Sequence, residues 1–310
     1  MVDFGGGPVA GNLEVKWMHG GATEPPIQVH AYDPHTYLLR QSKTVSFEAP
    51  FLYLLFGNDR ALLLDSGATT DAVAFPLRRT VDELVSSWLD ANPREGYELV
   101  VAHTHAHGDH VAGDPQFADR PNTTLVGTDL DSVRSFFGFA DWPEQVVGYD
   151  LGGRVLDVTG IPGHHPTSVA IFDPWTGFLF TGDSVYPGRL YAFDMPAFVA
   201  STDRLVEFAD ARPVSHVMGC HIEMSRRPGR DYPMGTKYQP DEPPLQMTTA
   251  QLHAVRDAAR AAATKPGVHV HDDFIIFNGT GRLATVKLLA RTLLQRLRSA
   301  RRTPSPPSSG

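Results

Sequence analysis

The segment VVAHTHAHGDH, Val100 to His110, sets His103, His105, His107, Asp109 and His110 within eight positions. Imidazole nitrogen and carboxylate oxygen are the donors that zinc takes from a protein. Residues two apart in an extended segment point the same way, so His105 and His107 can approach one ion together. Gly108 permits a turn that carries Asp109 and His110 to a neighbouring position. One short stretch can therefore supply two ligands to each of two ions. Two ligands do not close a site, and the chain offers more. GIPGHHPTS (160–168) presents His164 and His165 on a Gly/Pro turn, FTGDS presents Asp183, and MGCHIE presents His221. The expected sets are His105, His107 and His164 for one ion, and Asp109, His110 and His221 for the other. Asp183, with two carboxylate oxygens, suits a bridge. Open coordination positions remain, as a catalytic rather than a structural zinc site requires.

These side chains need a frame. Short apolar runs rich in β-formers recur at 51–57, 61–67, 98–105, 123–127, 155–161, 168–173, 178–183, 214–221 and 271–279, most bounded by Gly, Asp, Asn or Pro. Helical spacing falls between them. Leu77, Val81, Leu84, Val85, Trp88 and Leu89 make one apolar face stopped by Asn92-Pro93, and further helices are expected over 198–211, 248–263 and 281–300. The mixture predicts a layered α/β or α+β domain, with strands in adjacent pairs rather than a simple doubly wound sheet. Asp65, the segment His105 to His110, Asp183 and His221 each lie at the C-terminal end of a predicted strand, where layered α/β folds collect ligands.

The 310 residues are 42% hydrophobic and 20% charged, enough for one large domain or two small ones with a substantial core. Residues 1–13 are Gly-rich and expected to be flexible, and the Pro/Ser-rich tail 303–310 to be disordered. A net charge of −8 without a basic run argues against a nucleic-acid or anionic-membrane surface. The single cysteine, Cys220, excludes an internal disulfide and suits a reducing cytoplasm. The first residues lack the pattern of a signal peptide, and no apolar run approaches the roughly 20 residues that span a bilayer. The expectation is a cytoplasmic protein with a small-molecule substrate, no nucleic-acid or membrane partner, and a homodimer left open.

In order along the chain, LLLDSG, THAHGDH, PGHHPTS, FTGDS and GCHIE fall between residues 60 and 223. This ordered set resembles the motifs of the metallo-β-lactamase superfamily of dinuclear metallohydrolases, in its hydroxyacylglutathione hydrolase and lactonase-like branch. The resemblance implies a four-layer αββα sandwich of two mixed β-sheets with the metals on one edge, a single domain over 14–302 that ends in helices. It implies His105, His107 and His164 as ligands of the first metal, Asp109, His110 and His221 as ligands of the second, and Asp183 as the bridge. Asp65 is implied to stand behind the ligands and orient them. The implied cofactors are two Zn2+, with iron or manganese as alternatives. Three positions depart from the family pattern: His165 stands for the usual Thr, Thr167 for a Gly, and Cys220 precedes the last ligand.

The chemistry follows from the metals. One zinc brings a water pKa to about 7, and a water between two cations loses its proton more easily still. The hydroxide would attack a carbonyl or phosphoryl centre, a metal would stabilise the oxyanion, and Asp109 would orient the hydroxide and carry its proton to the leaving group. The expected function is a zinc-dependent hydrolase of an ester, thioester, lactone or amide. The alternative is a mononuclear iron persulfide dioxygenase-like oxidoreductase, which shares the signature. Family β-lactamases usually lack the bridging aspartate present here as Asp183. Four residues stay open between two roles. His103 either stands behind a ligand or caps its strand. Tyr186 and Tyr191 either donate a hydrogen bond to an oxyanion or wall a pocket. Tyr238 lies in the Pro-rich stretch 224–245, which either borders the substrate mouth or merely crosses over.

Overall fold

The computed structural model describes residues 1–279, 286 and 290–295. Two six-stranded sheets pack face to face. The first follows chain order through β1 (Ile27–Asp33), β2 (Thr36–Gln41), β3 (Phe51–Phe56), β4 (Arg60–Leu64), β5 (Glu98–Ala102) and β6 (Thr123–Leu125). Its first four strands are antiparallel and its last three are parallel. The second sheet is built from β7 (Val146–Asp150), β8 (Val155–Gly160), β9 (Val169–Asp173), β10 (Phe178–Gly182), β12 (His216–Gly219) and β13 (Gln246–Met247), in the spatial order β13-β12-β10-β9-β8-β7. A small third sheet, β11 (Arg189–Ala192) beside β15 (Ile275–Asn278) and β14 (Gly267–Val270), adds to the two expected.

Strand periodicity sorts the apolar residues into three cores. Along β3, Phe51, Tyr53 and Leu55 face the second sheet, while Leu52, Leu54 and Phe56 face outward. Across the interface, Val169, Ile171, Phe178 and Phe180 of β9 and β10 meet them, and Ala170, Phe172 and Leu179 face the other way. Sheets covered on both sides read as unbroken apolar runs, which explains FLYLLF. The covers are helices. α1 (Leu77–Ala91) lays Leu77, Val81, Val85 and Trp88 on the first sheet. The short α2 (Gly108–Val111) and α3 (Leu130–Phe137) follow. α4 (Met195–Asp210) and α5 (Thr249–Ala262) cover the second sheet, the latter starting in a capping box between Thr248 and Gln251. The result is the four-layer αββα sandwich expected from the motifs.

Several strands were not expected from the sequence: β1, β2, β7, β11, β13 and β14. β1, with burial alternating along its length, and the exposed β7 lie at sheet edges and show no apolar run. The N-terminal thirteen residues have no helix or strand, and Val2 and Phe4 are held against the domain. Val2 exchanges hydrogen bonds of 2.8 and 2.9 Å with the Asn58 side chain, and buried Phe4 packs edge-on against Trp175. The helix expected over 281–300 lies largely outside the described residues; 286 and 290–295 are helical. Among the described residues no helix is long and apolar enough to cross a membrane.

One buried ion pair joins the two sheets. Arg154, just before β8, donates to both oxygens of Asp173 at 3.0 and 2.6 Å, and both side chains are fully buried. The same guanidinium donates to His35 O, Phe56 O and Thr36 Oγ1 of the first sheet, at 2.8, 3.0 and 2.9 Å. Phe56 pairs with Ala61 near the start of β4 and Asp173 with Phe178 at the start of β10, so this clasp lies at the sandwich edge opposite the C-terminal ends of those strands.

Candidate metal centre

β4 and β5 run parallel with Leu64 opposite Ala102, which brings Asp65 beside the histidine segment. Asp65 has φ +68°, a left-handed conformation uncommon outside glycine. The bend returns its carboxylate onto that segment. Oδ1 accepts from Thr104 N at 2.7 Å; Oδ2 accepts from Thr104 Oγ1 at 2.9 Å, lies 2.8 Å from His110 Nδ1, and accepts from Cys220 Sγ at 3.3 Å. An Nδ1–H given to Asp65 would leave His110 Nε2 free to face a cation. The second sheet meets the first at Gly182, where φ is +51° and an added Cβ would lie 2.7 Å from Thr104 Cβ. Asp183 comes next. Cys220 N donates to Gly182 O at 3.1 Å, and His221 follows. His164 leaves a turn at Gly163, φ +134°, which packs directly on the Phe198 backbone at the start of α4. Its Nδ1 is held by Tyr191 O at 2.9 Å, and Nδ1 of His221 by Glu48 O at 3.0 Å.

The seven residues expected as donors come together in two sets. In the first, His107 Nδ1 lies 3.0 Å from His105 Nε2 and 2.9 Å from His164 Nε2. In the second, His221 Nε2 lies 3.2 Å from Asp109 Oδ2, 3.4 Å from Asp183 Oδ1 and 3.4 Å from His110 Nε2. His110 Nε2 is 3.5 Å from each of the same two carboxylate oxygens. Four donors placed tetrahedrally around zinc at its ordinary bond lengths stand about 3.3 Å from one another. The second set therefore has the spacing of a zinc shell. Asp183 reaches both sets, with Oδ2 3.7 Å from His164 Nε2. Its Oδ1 is buried and has no hydrogen-bond partner, as expected of an atom that a cation would engage.

The electrostatics agree with that fit. Burial holds His105 well below the usual histidine range, with His110 and His164 adding to it. Burial likewise lowers His107 and takes His164 down to about 4. Each shift favours the neutral ring, the form that offers a lone pair to a cation. In the second set burial is outweighed by carboxylates: Asp65, Asp183 and Asp109 raise His110 well above its ordinary value, and Asp183 and Asp109 take His221 up to about 9. Burial of the acids is outweighed in turn by His221 and His110, which lower Asp183 to about 2 and hold Asp109 far below the carboxylate range. A buried group of acids that recruits protons onto its imidazoles is one in which a divalent cation can replace those protons.

The other candidates fall elsewhere. His103 stands outside both sets; its Nε2 lies 2.8 Å from Asp114 Oδ1, which also accepts from Ser66 Oγ at 2.7 Å. It secures the segment after α2 rather than one ligand. Tyr186 does not offer its phenol to an oxyanion. The ring packs on His221 with centroids 5.7 Å apart, and the hydroxyl donates to Arg189 O at 2.6 Å, with Glu223 Oε2 at 3.1 Å. Tyr191 also turns its hydroxyl away, to accept from Arg189 Nε at 3.0 Å. Its ring stacks on Phe193, and Phe193, 54% exposed, lies 5.6 Å from the His164 ring and 6.2 Å from His107. Tyr238 is exposed and packs on His19, not on a donor residue. Phe193 and the carbonyls of Glu48 and Tyr191 were missed from the sequence, since a backbone acceptor leaves no mark on residue type.

The sequence pattern of the metallo-beta-lactamase superfamily matches residues 47–213. Hydroxyacylglutathione hydrolase of Synechococcus sp. (strain JA-3-3Ab) is 32% identical over 208 residues, 64% of this chain and 75% of that protein. The enzyme of the same name from Synechococcus sp. (strain JA-2-3B'a(2-13)) is 31% identical over 176 residues, and the match spans 53% of this chain and 61% of that protein's length. Acyl-coenzyme A thioesterase MBLAC2 of Gallus gallus is 26% identical over 205 residues, 56% of this chain and 72% of that protein. The metallo-β-lactamase FIM-1 from Pseudomonas aeruginosa, in its mono-zinc form, shares the fold with a TM-score of 0.52 at 13% identity, over 78% of this chain and 98% of that chain. On the match over residues 47–213, which is more than half its length, this chain belongs to the metallo-β-lactamase superfamily.

Proposed function

We propose that this chain is a dinuclear zinc hydrolase that cleaves the thioester or ester bond of a small molecule, a lactone or amide being the wider class. One observation carries the reading: two donor sets share Asp183, and the second has the mutual spacing of a zinc shell. His105, His107 and His164 would hold one ion, Asp109, His110 and His221 the other, with Asp183 between them. When bound, the ions supply Lewis acidity, polarising a substrate carbonyl and bringing the pKa of water toward 7. A single-iron oxidoreductase would need only one set, so the closely spaced second set supports two ions. The relatives' names, an acylglutathione hydrolase and an acyl-coenzyme A thioesterase, favour an acyl group carried on a thiol.

The chain's own residues have separable tasks. Asp65, Glu48 O and Tyr191 O each hold one imidazole by its far nitrogen, which fixes the direction of the near one. Asp109 is the carboxylate that solvent reaches best, 21% exposed against 9% for Asp183. It is placed to take a proton from the attacking water and return it to the leaving sulfur or oxygen. Phe193 offers an apolar wall beside the first set.

Proton release on thioesters, aryl esters and lactones, with a chelator-stripped control, tests the reading. Hydrolysis that disappears with the metal and returns with zinc is expected; silence across the panel with zinc bound would reject it. His221→Ala should lower zinc from about two ions to about one per chain, measured by elemental analysis, because it removes one of the two imidazoles of the second set and leaves His110 with two carboxylates. Unchanged stoichiometry would remove His221 from the set.

A further inference from the structure

We propose that Glu48 is a specificity residue whose carboxylate receives a positively charged arm of the acyl substrate; this rests on the hydrolase reading above. Its backbone is fixed to the centre, because Glu48 O is the acceptor for His221 Nδ1 at 3.0 Å. The next residue, buried Ala49, has φ +44°, and Pro50 follows. A non-glycine residue held in the left-handed region and locked by a proline leaves little freedom in where Glu48 stands. That strain makes sense if the position of this residue matters.

Among the described residues, no hydrogen bond or ion pair engages the Glu48 carboxylate; its only bonds are through backbone N and O. His221 is the leading charge of opposite sign, and Lys43 also feels the Glu48 charge, but Asp109, Glu223 and Asp183 are of its own sign. Nearby cations are committed elsewhere. Arg189 pairs with Glu223 and, at 3.1 Å, with Asp231; Arg40 is bidentate on Glu242; Lys43 leans on Glu242 at 3.7 Å and Phe47 O at 3.4 Å. Ions in the two donor sets would more than compensate Asp109 and Asp183, and their surplus charge would act on Glu48 at a distance, but Glu48 belongs to neither set and would gain no direct partner. A half-buried carboxylate left without a donor beside the site is satisfied by a donor or cation on the ligand. Phe47, 37% exposed, adds apolar surface next to it, which suits an alkylammonium group. An anionic substrate arm would find no uncommitted cation among these neighbours.

A matched pair of thioesters tests this on the zinc-loaded full chain. Acetylthiocholine carries a quaternary cation, and 3,3-dimethylbutyl thioacetate is its neutral carbon isostere. The ratio of their kcat/KM values should be about 10 in the wild type, the effect of one partly screened charge pair, and close to one in Glu48→Gln. The ratio cancels general damage to the centre. A wild-type ratio near one, or an unchanged ratio in the variant, overturns the proposal. Choline binding by calorimetry gives a readout independent of turnover. Affinity at least about fivefold weaker in Glu48→Gln is expected for the same contact; equal affinity, or no binding by the wild type, overturns it. If neither thioester nor any member of the ester and lactone panel is cleaved while choline binding still depends on Glu48, the hydrolase reading fails and the cation site stands. Loss of zinc from Glu48→Gln would also overturn the proposal, since Glu48 would then support the metals instead.

Discussion

Asp109→Ala should lower kcat by about 1,000-fold at saturating zinc, a large loss within the range for a missing acid–base group and close to abolishing turnover. The side chain is both a donor of the second set and the carboxylate closest to solvent, 3.2 Å from His221 Nε2 and 3.5 Å from His110 Nε2. Removing it takes away the group that would hold the proton between attack and departure of the leaving group. The fold should survive, because Asp109 lies in a single helical turn, α2, outside all three apolar cores. Circular dichroism and the melting temperature would check that, and elemental analysis would show whether zinc stays. Asp109→Asn keeps the size and one oxygen donor, so it separates proton transfer from coordination. Turnover like that of the wild type in the alanine variant, with zinc bound, would sink the acid–base assignment.

Arg154→Ala should be the most destabilising single change in the sandwich, about 3–5 kcal/mol by denaturant unfolding, the cost of stranding one partner of a buried pair. Asp173 would keep a buried negative charge, eased only by Thr176 and by backbone N–H groups. The carbonyls of His35 and Phe56 would lose donors as well. Arg154→Met with Asp173→Leu should recover most of the loss, since apolar replacement of a whole buried pair is often neutral. A loss below about 1 kcal/mol in the single variant would show that water enters the clasp, as at an exposed pair.

The residues that cluster in the two candidate sets, and the central strands, were legible in the sequence for one reason: both are local. His105 to His110, His164, Asp183 and His221 come in short segments at strand ends, where spacing and residue type can be read directly. FLYLLF and FLFTG are unbroken because β3 and β10 are covered on both faces. What escaped depends on distant chain. The hairpin of β1 and β2 mixes His, Asp, Gln and Arg with its apolar residues, since its edge faces solvent and Arg40 is neutralised by Glu242, which is 202 residues away. Tyr186 sits two residues beyond Ser184, near the bridge candidate, yet Glu223 and the Arg189 carbonyl claim its hydroxyl. Chain distance to Asp183 says nothing of that direction. The use of Glu48 O and Tyr191 O to aim imidazoles is likewise a property of the assembled fold.

The two large sheets are consecutive in the chain: β1 to β6 end at Leu125, and β7 begins at Val146. The donors divide along the same line, with His105, His107, Asp109 and His110 from the first half and His164, Asp183 and His221 from the second. During synthesis the first sheet leaves the ribosome carrying four donors and neither complete set. An ion captured at that stage meets only half a shell, and strong retention waits for β12 and His221. Metal choice would thus be deferred until the second sheet has closed over the first, so that the finished cavity, rather than the nascent chain, would select the ion.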